Sequence, residues 1–404
     1  ASQVAGQALT PVVTVEVRDA NGNVVTNYAG TVTLGFGNNP SGATLVGTAS
    51  VAAVNGVASF PGVNIELAGV GYTLTATTDT LPAGNSAAFD VVSAAPSSIA
   101  PVAGDGQNGT VGTTLADSLV VRVTDVFGNK VAGVEVVLSV GVGGGSVVPN
   151  VLTTNVLGEA ATAWTLGNTA GTQEVTATIT GGVNYTFSAL ATAAAPSVLT
   201  LESGDQQSAS AGVAYAQPLR VKVTDGFGNA IAGAPVAWSG IAVTVASDTT
   251  LSDANGIAEV IATAETAVGI GSVTATLVAA PSQFVVFDLD VTAGAATNIN
   301  FETLPVDATA GTVLAPFAFR AEDAFGNVAT GFTGPVTLTA ELTDGTPVAV
   351  LVQGDSVSAS GGIATFDNVR IDASGIYHLI ADFGALGTIM TDQIVISPAG
   401  PSTL

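Results

Sequence analysis

The stretch most suggestive of ion binding is Asp19-Ala20-Asn21-Gly22-Asn23, where oxygen-bearing side chains alternate as they do in a Ca²⁺ loop. Three related stretches place Phe127, Phe227 and Phe325 where Asn21 stands, and a phenylalanine has no atom to offer a cation. No bidentate glutamate follows at EF-hand distance either. The segment therefore reads as a hairpin turn stabilised by Asp and Asn, and the three phenylalanines as caps on the end of a sandwich core. Glu202 with Asp205, and Asp105 at the matching place, lie a few residues beyond Ala/Pro/Ser joints. Ca²⁺ is the one cofactor such carboxylates would suit. Without a DxD-type cluster, a solvated acidic loop is the simpler reading.

Catalytic chemistry finds little support. His378 is the single histidine and alternates with Tyr377 and Leu379 in a strand-like pattern, so no Ser-His-Asp or histidine cluster can be assembled. The glycine tract at 141–145 contains no lysine and precedes no helix, which removes a phosphate loop. Trp164 and Trp238 occupy alternating strand positions and read as core rather than sugar platforms. Arg122, Lys222 and Arg320 share one register on an outward strand face, with Glu16 in the first copy, and are expected to pair with carboxylates across the strands. Asn108-Gly109-Thr110 and Asn184-Tyr185-Thr186 match the glycosylation sequon only weakly as a signal. The chain reads as non-enzymatic.

These residues belong to a repeat. VTVEVRDANGN at 13–23, LVVRVTDVFGN at 119–129, LRVKVTDGFGN at 219–229 and FAFRAEDAFGN at 317–327 have aspartates 106, 100 and 98 residues apart, the length of a small domain. Leu119, Val121 and Val123 alternate with Val120, Arg122 and Thr124, the period of a strand with one buried face. Asp125 opens a turn that Gly128-Asn129 closes, and residues 134–140 form the next strand, so the unit is expected to be a β-hairpin. Turn-then-strand signals follow at 55–60, 157–164, 255–260 and 361–366, then strands at 71–76, 174–178, 272–276 and 376–381. About seven short strands per repeat describe an antiparallel sandwich. Tyr72 and Tyr377, each just after a glycine, are placed to act as tyrosine corners.

Composition agrees. Apolar residues make up 47% of 404 and charged residues only 9%, and no run approaches the length that spans a membrane. Seven basic residues against 31 acidic ones give a formal charge of −24, which disfavours nucleic acid and anionic membranes. Cysteine is absent.

Short joints at 94–97, 194–197, 293–297 and 398–402 divide the chain into expected domains 1–94, 95–194, 195–294 and 295–397, with 398–404 as a joint and the start of a further strand. Joints this short predict an extended, stiff rod of four tandem Ig-like antiparallel β-sandwich domains. The sequence VRVTDVFGNKVAGVEVVLSV at 121–140, GGGSV at 143–147 and GEAATAWTLGNTAGTQEVTATI at 158–179 resembles the bacterial immunoglobulin-like repeats of invasin/intimin-type surface proteins. Repeats one and four, with AGQALTPVVTVEVRDANGN at 5–23 and AGVGYTLTATT at 68–78, are similar to looser relatives in very large bacterial surface proteins. The resemblance implies Ig-like sandwiches outside the cell and a role as stalk. A protein or glycan ligand bound through sandwich-end loops, with 35–41 and 342–347 as candidates, is the alternative.

The first glycine landmark of repeats two and three, Gly112 or Gly212, comes 16 residues after Pro96 or Pro196, whereas repeat one has Gly6. Repeat one is thus expected to lack its opening strand, as a processed or excised chain would. Pro401, Ser402, Thr403 and Leu404 have the phase of an opening strand. Gly6 and these four residues are the candidates for head-to-tail self-association, with neighbouring repeats of a longer chain as the other expected partner.

Overall fold

The computed structural model describes residues 2–348 and 351–401. Apart from one turn of 3-10 helix at Gly384–Leu386, the described residues form strands and turns. The chain makes two compact units, Ala1–Ala194 and Ala195–Leu404. The fold is Ig-like, with strands paired into many sheets, and each sequence repeat buries its own apolar clusters.

The second repeat shows the plan. One sheet runs Ser98–Ala103, Leu119–Thr124, Glu159–Leu166 and Gly145–Val148. The other runs Gln107–Thr110, Asn184–Thr192, Gly171–Ile179, Glu135–Val140 and Val151–Thr153. Leu119, Val121 and Val123 point into the core with Trp164, Val175, Ala177 and Phe187, while the alternating residues face out. Burying one such side chain stabilises the fold by roughly 1.5–3 kcal/mol, so the alternating rows supply most of the driving force. Trp164 and Trp238 are core residues, as expected.

The expected hairpin is not one. Strands Leu119–Thr124 and Glu135–Val140 lie in opposite sheets, joined to different neighbours. Only one bridge, Thr124 to Lys130, closes the Asp turn before the chain crosses the sandwich. The same single bridge recurs as Arg18 to Val24, Thr224 to Ala230 and Glu322 to Val328. The physical reason is that both strands carry an alternating apolar row. Placing them in facing sheets lets both rows meet in one core.

The opening segment also divides between sheets. Ser98–Ala103 pairs antiparallel with Leu119–Thr124, and Gln107–Thr110 then runs parallel to the last strand, Asn184–Thr192. Repeats three and four repeat this arrangement with Val198–Ser203 and Asn298–Thr303. In the first repeat Ser2–Val4 makes the parallel pairing with Phe89–Val92, and Val13–Glu16 with Val57–Phe60 and Leu45–Val46 with Asn64–Ile65 form two-stranded sheets.

The tyrosine corners are present. Tyr72 donates its hydroxyl to the Leu67 carbonyl at 2.9 Å, and Tyr377 donates to Ala373 at 3.2 Å.

Candidate functional site

The most elaborate polar constellation in each unit is built on the Asp turn, at the joint between its two repeats. Asp125 Oδ1 accepts the backbone N–H groups of Phe127 and Asn129, both at 2.9 Å. Its Oδ2 accepts the Asn129 side-chain amide at 2.8 Å and the Ala94 N–H at 2.8 Å. Ala94 belongs to the joint itself, so one carboxylate ties the turn to the linker. Asn129 completes the connection. Its Nδ2 donates to the Glu66 carbonyl at 2.7 Å and its Oδ1 accepts the Ala68 N–H at 2.7 Å, two groups on a loop of the first repeat.

The second unit repeats this geometry. Asp323 Oδ1 accepts from Phe325 at 2.9 Å and Asn327 at 3.0 Å, and its Oδ2 takes the Gly294 N–H of the joint at 3.0 Å. Asn327 Nδ2 donates to Thr266 at 2.8 Å, and its Oδ1 accepts the Val268 N–H at 3.3 Å. Two joints thus carry the same set of bonds on the same sequence positions.

Both aspartates are almost fully buried, Asp125 at 3% exposed and Asp323 at 1%. Burial alone would raise their carboxyl groups. The Asn side chains and the backbone N–H donors outweigh it, holding Asp125 below the ordinary carboxylate value and Asp323 down to about 2. These carboxylates are therefore anions throughout the physiological range, with every oxygen already committed to N–H donors.

The aromatic ring beside the turn seals the joint. Phe127 packs against Ala5, Ile65, Tyr72 and Val91, so it covers the end of the preceding repeat's core rather than its own. The expected cap on the end of a sandwich core is thus formed by Phe127, and the core it covers is that of the preceding repeat. Space for the ring comes from Gly6, whose φ is +72° and whose missing Cβ would clash with the edge of the Phe127 ring. Phe325 sits in the same way over Gly212, at φ +74°, where a Cβ would lie 2.7 Å from the ring. Gly6, expected to serve self-association, is thus covered within its own unit.

The remaining expected site residues are scattered. Asp19 Oδ1 accepts the N–H groups of Asn21 and Asn23 at 2.9 Å each, as a turn and not as a cation loop. Asp105 accepts the Tyr185 hydroxyl at 2.6 Å and the Ser188 N–H at 2.9 Å, and Asp205 accepts the Asp288 N–H at 2.8 Å. These bonds fasten the start of the parallel edge strand to the last strand. Glu202 is exposed on Val198–Ser203, at the register irregularity of that pairing. No group of three or more His, Cys, Asp or Glu side chains that could hold a metal occurs among the described residues.

Arg122 pairs with Glu159 directly across the strands, as expected of its register. Arg320 bridges Glu302 and Glu322. In repeat three the pairing moves two residues, to Arg220 with Glu259. Lys222 forms no ion pair among the described residues, because Ile257 stands opposite it. His378 is half-buried with Nδ1 2.9 Å from the Thr391 carbonyl, a structural position. Of the candidate ligand loops, residues 35–38 belong to strand Thr31–Asn38, and 342–347 contains a turn that Asp344 holds through the Thr346 N–H. Pro401 is exposed, and Ser402, Thr403 and Leu404 lie outside the described residues.

Reading the sequence residue by residue missed Glu66, Ala68, Thr266 and Val268. They act through backbone atoms alone, so no side-chain pattern marks them.

No helix among the described residues is long and apolar enough to cross a membrane. No family model matches the chain, and no curated protein matches its sequence. Among solved structures it is similar to the Escherichia coli adhesin FdeC, at 20% identity over 76% of this chain and all of that one, TM-score 0.45. It is also similar to invasin, a bacterial integrin-binding protein, at 21% identity over 75% of this chain and 60% of that one, TM-score 0.38. Yersinia pseudotuberculosis InvD is similar at 16% identity over 72% of this chain and 95% of that one, TM-score 0.40.

Proposed function

We propose that this chain is a non-enzymatic structural protein of the cell exterior, a stalk or filament segment whose function is length, stiffness and head-to-tail association. The observation that carries the reading is the joint. An anionic carboxylate and an asparagine amide on one turn engage the linker and the loop of the preceding repeat in both units, and the phenylalanine of the same turn packs on the preceding core end as Phe127 and lies over Gly212 as Phe325. A bare linker of four residues would leave two sandwiches free to swing. Hydrogen bonds to a buried carboxylate, at about 1.5–3 kcal/mol each, oppose that motion. The surplus of carboxylates keeps such a segment soluble and discourages lateral clumping. We also take each repeat as a domain, with boundaries at 94/95, 194/195 and 294/295.

Because the chain has no cysteine, stiffness can be measured directly. Spin labels on Thr31→Cys and Ser139→Cys flank the first joint on exposed strand positions. A narrow distance distribution that broadens in Asn129→Ala is the expected result. A distribution equally broad with and without Asn129 defeats the reading. An adhesin acting through sandwich-end loops is the separate alternative. Binding to a glycan or host-protein array, lost on replacing the turn at 343–346, would carry it instead.

A further inference from the structure

Repeat three departs from its neighbours at one place. Arg220 stands directly opposite Glu259 on an outward sheet face, and its Nε donates to Glu259 Oε2 at 2.7 Å. The same register position holds Thr14 and Ser59 in repeat one, Val120 and Ala161 in repeat two, and Ala318 and Thr365 in repeat four. The turn beside it differs as well. Asp253 Oδ1 accepts the N–H groups of Asn255 at 2.8 Å and Ile257 at 2.9 Å. Repeat two builds this turn on Asn155 and carries Leu157 where Asn255 stands.

Arg220, Leu251, Asp253, Asn255, Ile257 and Glu259 line an open groove of about 540 Å³. Its polar groups are held in place without being used up. Arg18, Arg122, Arg320 and Arg370 each commit a terminal guanidinium nitrogen to an oxygen of the chain. Arg220 commits neither of its two among the described residues, and Glu259 keeps Oε1 without a donor there. The Ile257 N–H holds the Asp253 carboxyl below its ordinary value, with the Asn255 groups and the Arg220 charge adding to it. Lys222, without an ion pair, stands opposite Ile257. Leu251, 65% exposed, and Ile257 supply the apolar part of the lining.

These charges select the ligand. An anion would meet the guanidinium but also two carboxylates, and a cation would meet the reverse. Two neighbouring hydroxyls suit both, because each accepts an N–H of the guanidinium fork and donates its own proton to a carboxylate. The C–H face of a sugar ring then has Leu251 and Ile257 to pack on.

We infer that this groove is a binding site for a neutral saccharide with vicinal hydroxyls. It is built where the chain passes from Thr249–Leu251, an edge strand of one sheet, to Ile257–Val260 of the other. The Asp turns and their joints take no part in it, so the site stands independently of the stalk reading.

The test presents the full 404-residue chain to immobilised neutral glycans ending in mannose, galactose, N-acetylglucosamine or N-acetylgalactosamine, alongside sialylated and sulfated ones. Saturable binding to at least one neutral glycan, competed by the free sugar, is expected. Arg220→Met, which keeps the aliphatic stem, and Asn255→Ala should each weaken it by about tenfold or more, the loss of one hydrogen bond of this kind. Both positions are exposed, so thermal unfolding of these variants should match the wild type. Arg122→Met in repeat two should leave binding unchanged, and amide exchange at residues 251–259 should slow on saturation. No neutral glycan bound, binding confined to the acidic glycans, or equal binding by Arg220→Met overturns the inference. Binding that survives Arg220→Met and is lost on replacing 343–346 belongs to that loop and overturns it too.

Discussion

Asn129 Oδ1 accepts the Ala68 N–H at 2.7 Å across 61 residues of sequence, and the same amide donates to Glu66 two residues earlier in the loop. A single side chain thus meets one donor and one acceptor of the preceding repeat, the pairing that a neighbouring strand would make. Asn327 meets Val268 and Thr266 in the same way in the second unit. A side chain that satisfies two backbone groups at once fixes both the distance and the twist of a joint.

Replacing Asn129 with Ala should loosen the joint without unfolding either sandwich. It leaves the Ala68 N–H and the Glu66 carbonyl without their partner, at a cost of about 1–3 kcal/mol. Amide exchange at Ala68 should accelerate by at least tenfold, while amides of the Val121 and Val175 strands keep their protection. Equal acceleration in the cores would mean that Asn129 supports the repeat rather than the joint.

Gly212→Ala should destabilise the second unit by more than 1 kcal/mol. Alanine is strained at φ +74°, and its Cβ would meet the Phe325 ring. Phe325→Ala in the same chain should recover the steric part and leave the backbone part, so thermal unfolding of the two single variants and the double variant should be non-additive. Strict additivity would show that ring and glycine do not meet in solution.

Acid should release the joint of the second unit. The Asp323 carboxyl is lowered from 3.8 to about 2 in the fold, so the folded state binds its proton less readily than the unfolded chain. Its contribution is fully present above pH 3.8 and is lost as pH falls through about 2. Amide exchange at Gly294, corrected for the intrinsic rate, should lose protection across that window. Asp323→Asn should flatten the dependence, and a wild-type profile unchanged down to pH 2 would contradict the assignment.

Arg122→Met should cost less than about 1 kcal/mol. The pair with Glu159 sits on a half-exposed strand face where water and salt screen the attraction, and methionine keeps the apolar stem. Denaturant midpoints of wild type and variant should converge as salt is raised to about 1 M. A loss of several kcal/mol would mean that the guanidinium supports the core.

Much of the architecture was legible from residue types. The alternation of Leu119, Val121 and Val123 marked an inward strand face, because burial of every second side chain is a local consequence of the pleat. The spacing of Asp125, Gly128 and Asn129 marked the turn, since the carboxylate closes on N–H groups within four residues. Tyr72 after Gly71 marked a corner whose hydroxyl bonds only five residues back. Each of these is a short-range relationship, and short-range chemistry is written in adjacent letters.

The tertiary structure decided what those elements face. Leu119–Thr124 and Glu135–Val140 read as one hairpin, yet they part into opposite sheets, because two apolar rows lower their exposed area most by meeting across a core. The parallel pairing of Gln107–Thr110 with Asn184–Thr192 carried no pattern of its own, as backbone groups supply the bonds. For the same reason Asn129 was legible as a turn residue and not as a joint. Its partners are the backbone of Glu66 and Ala68, whose donors and acceptors are common to nearly every amino acid, so only the packing of one repeat on the next could select them.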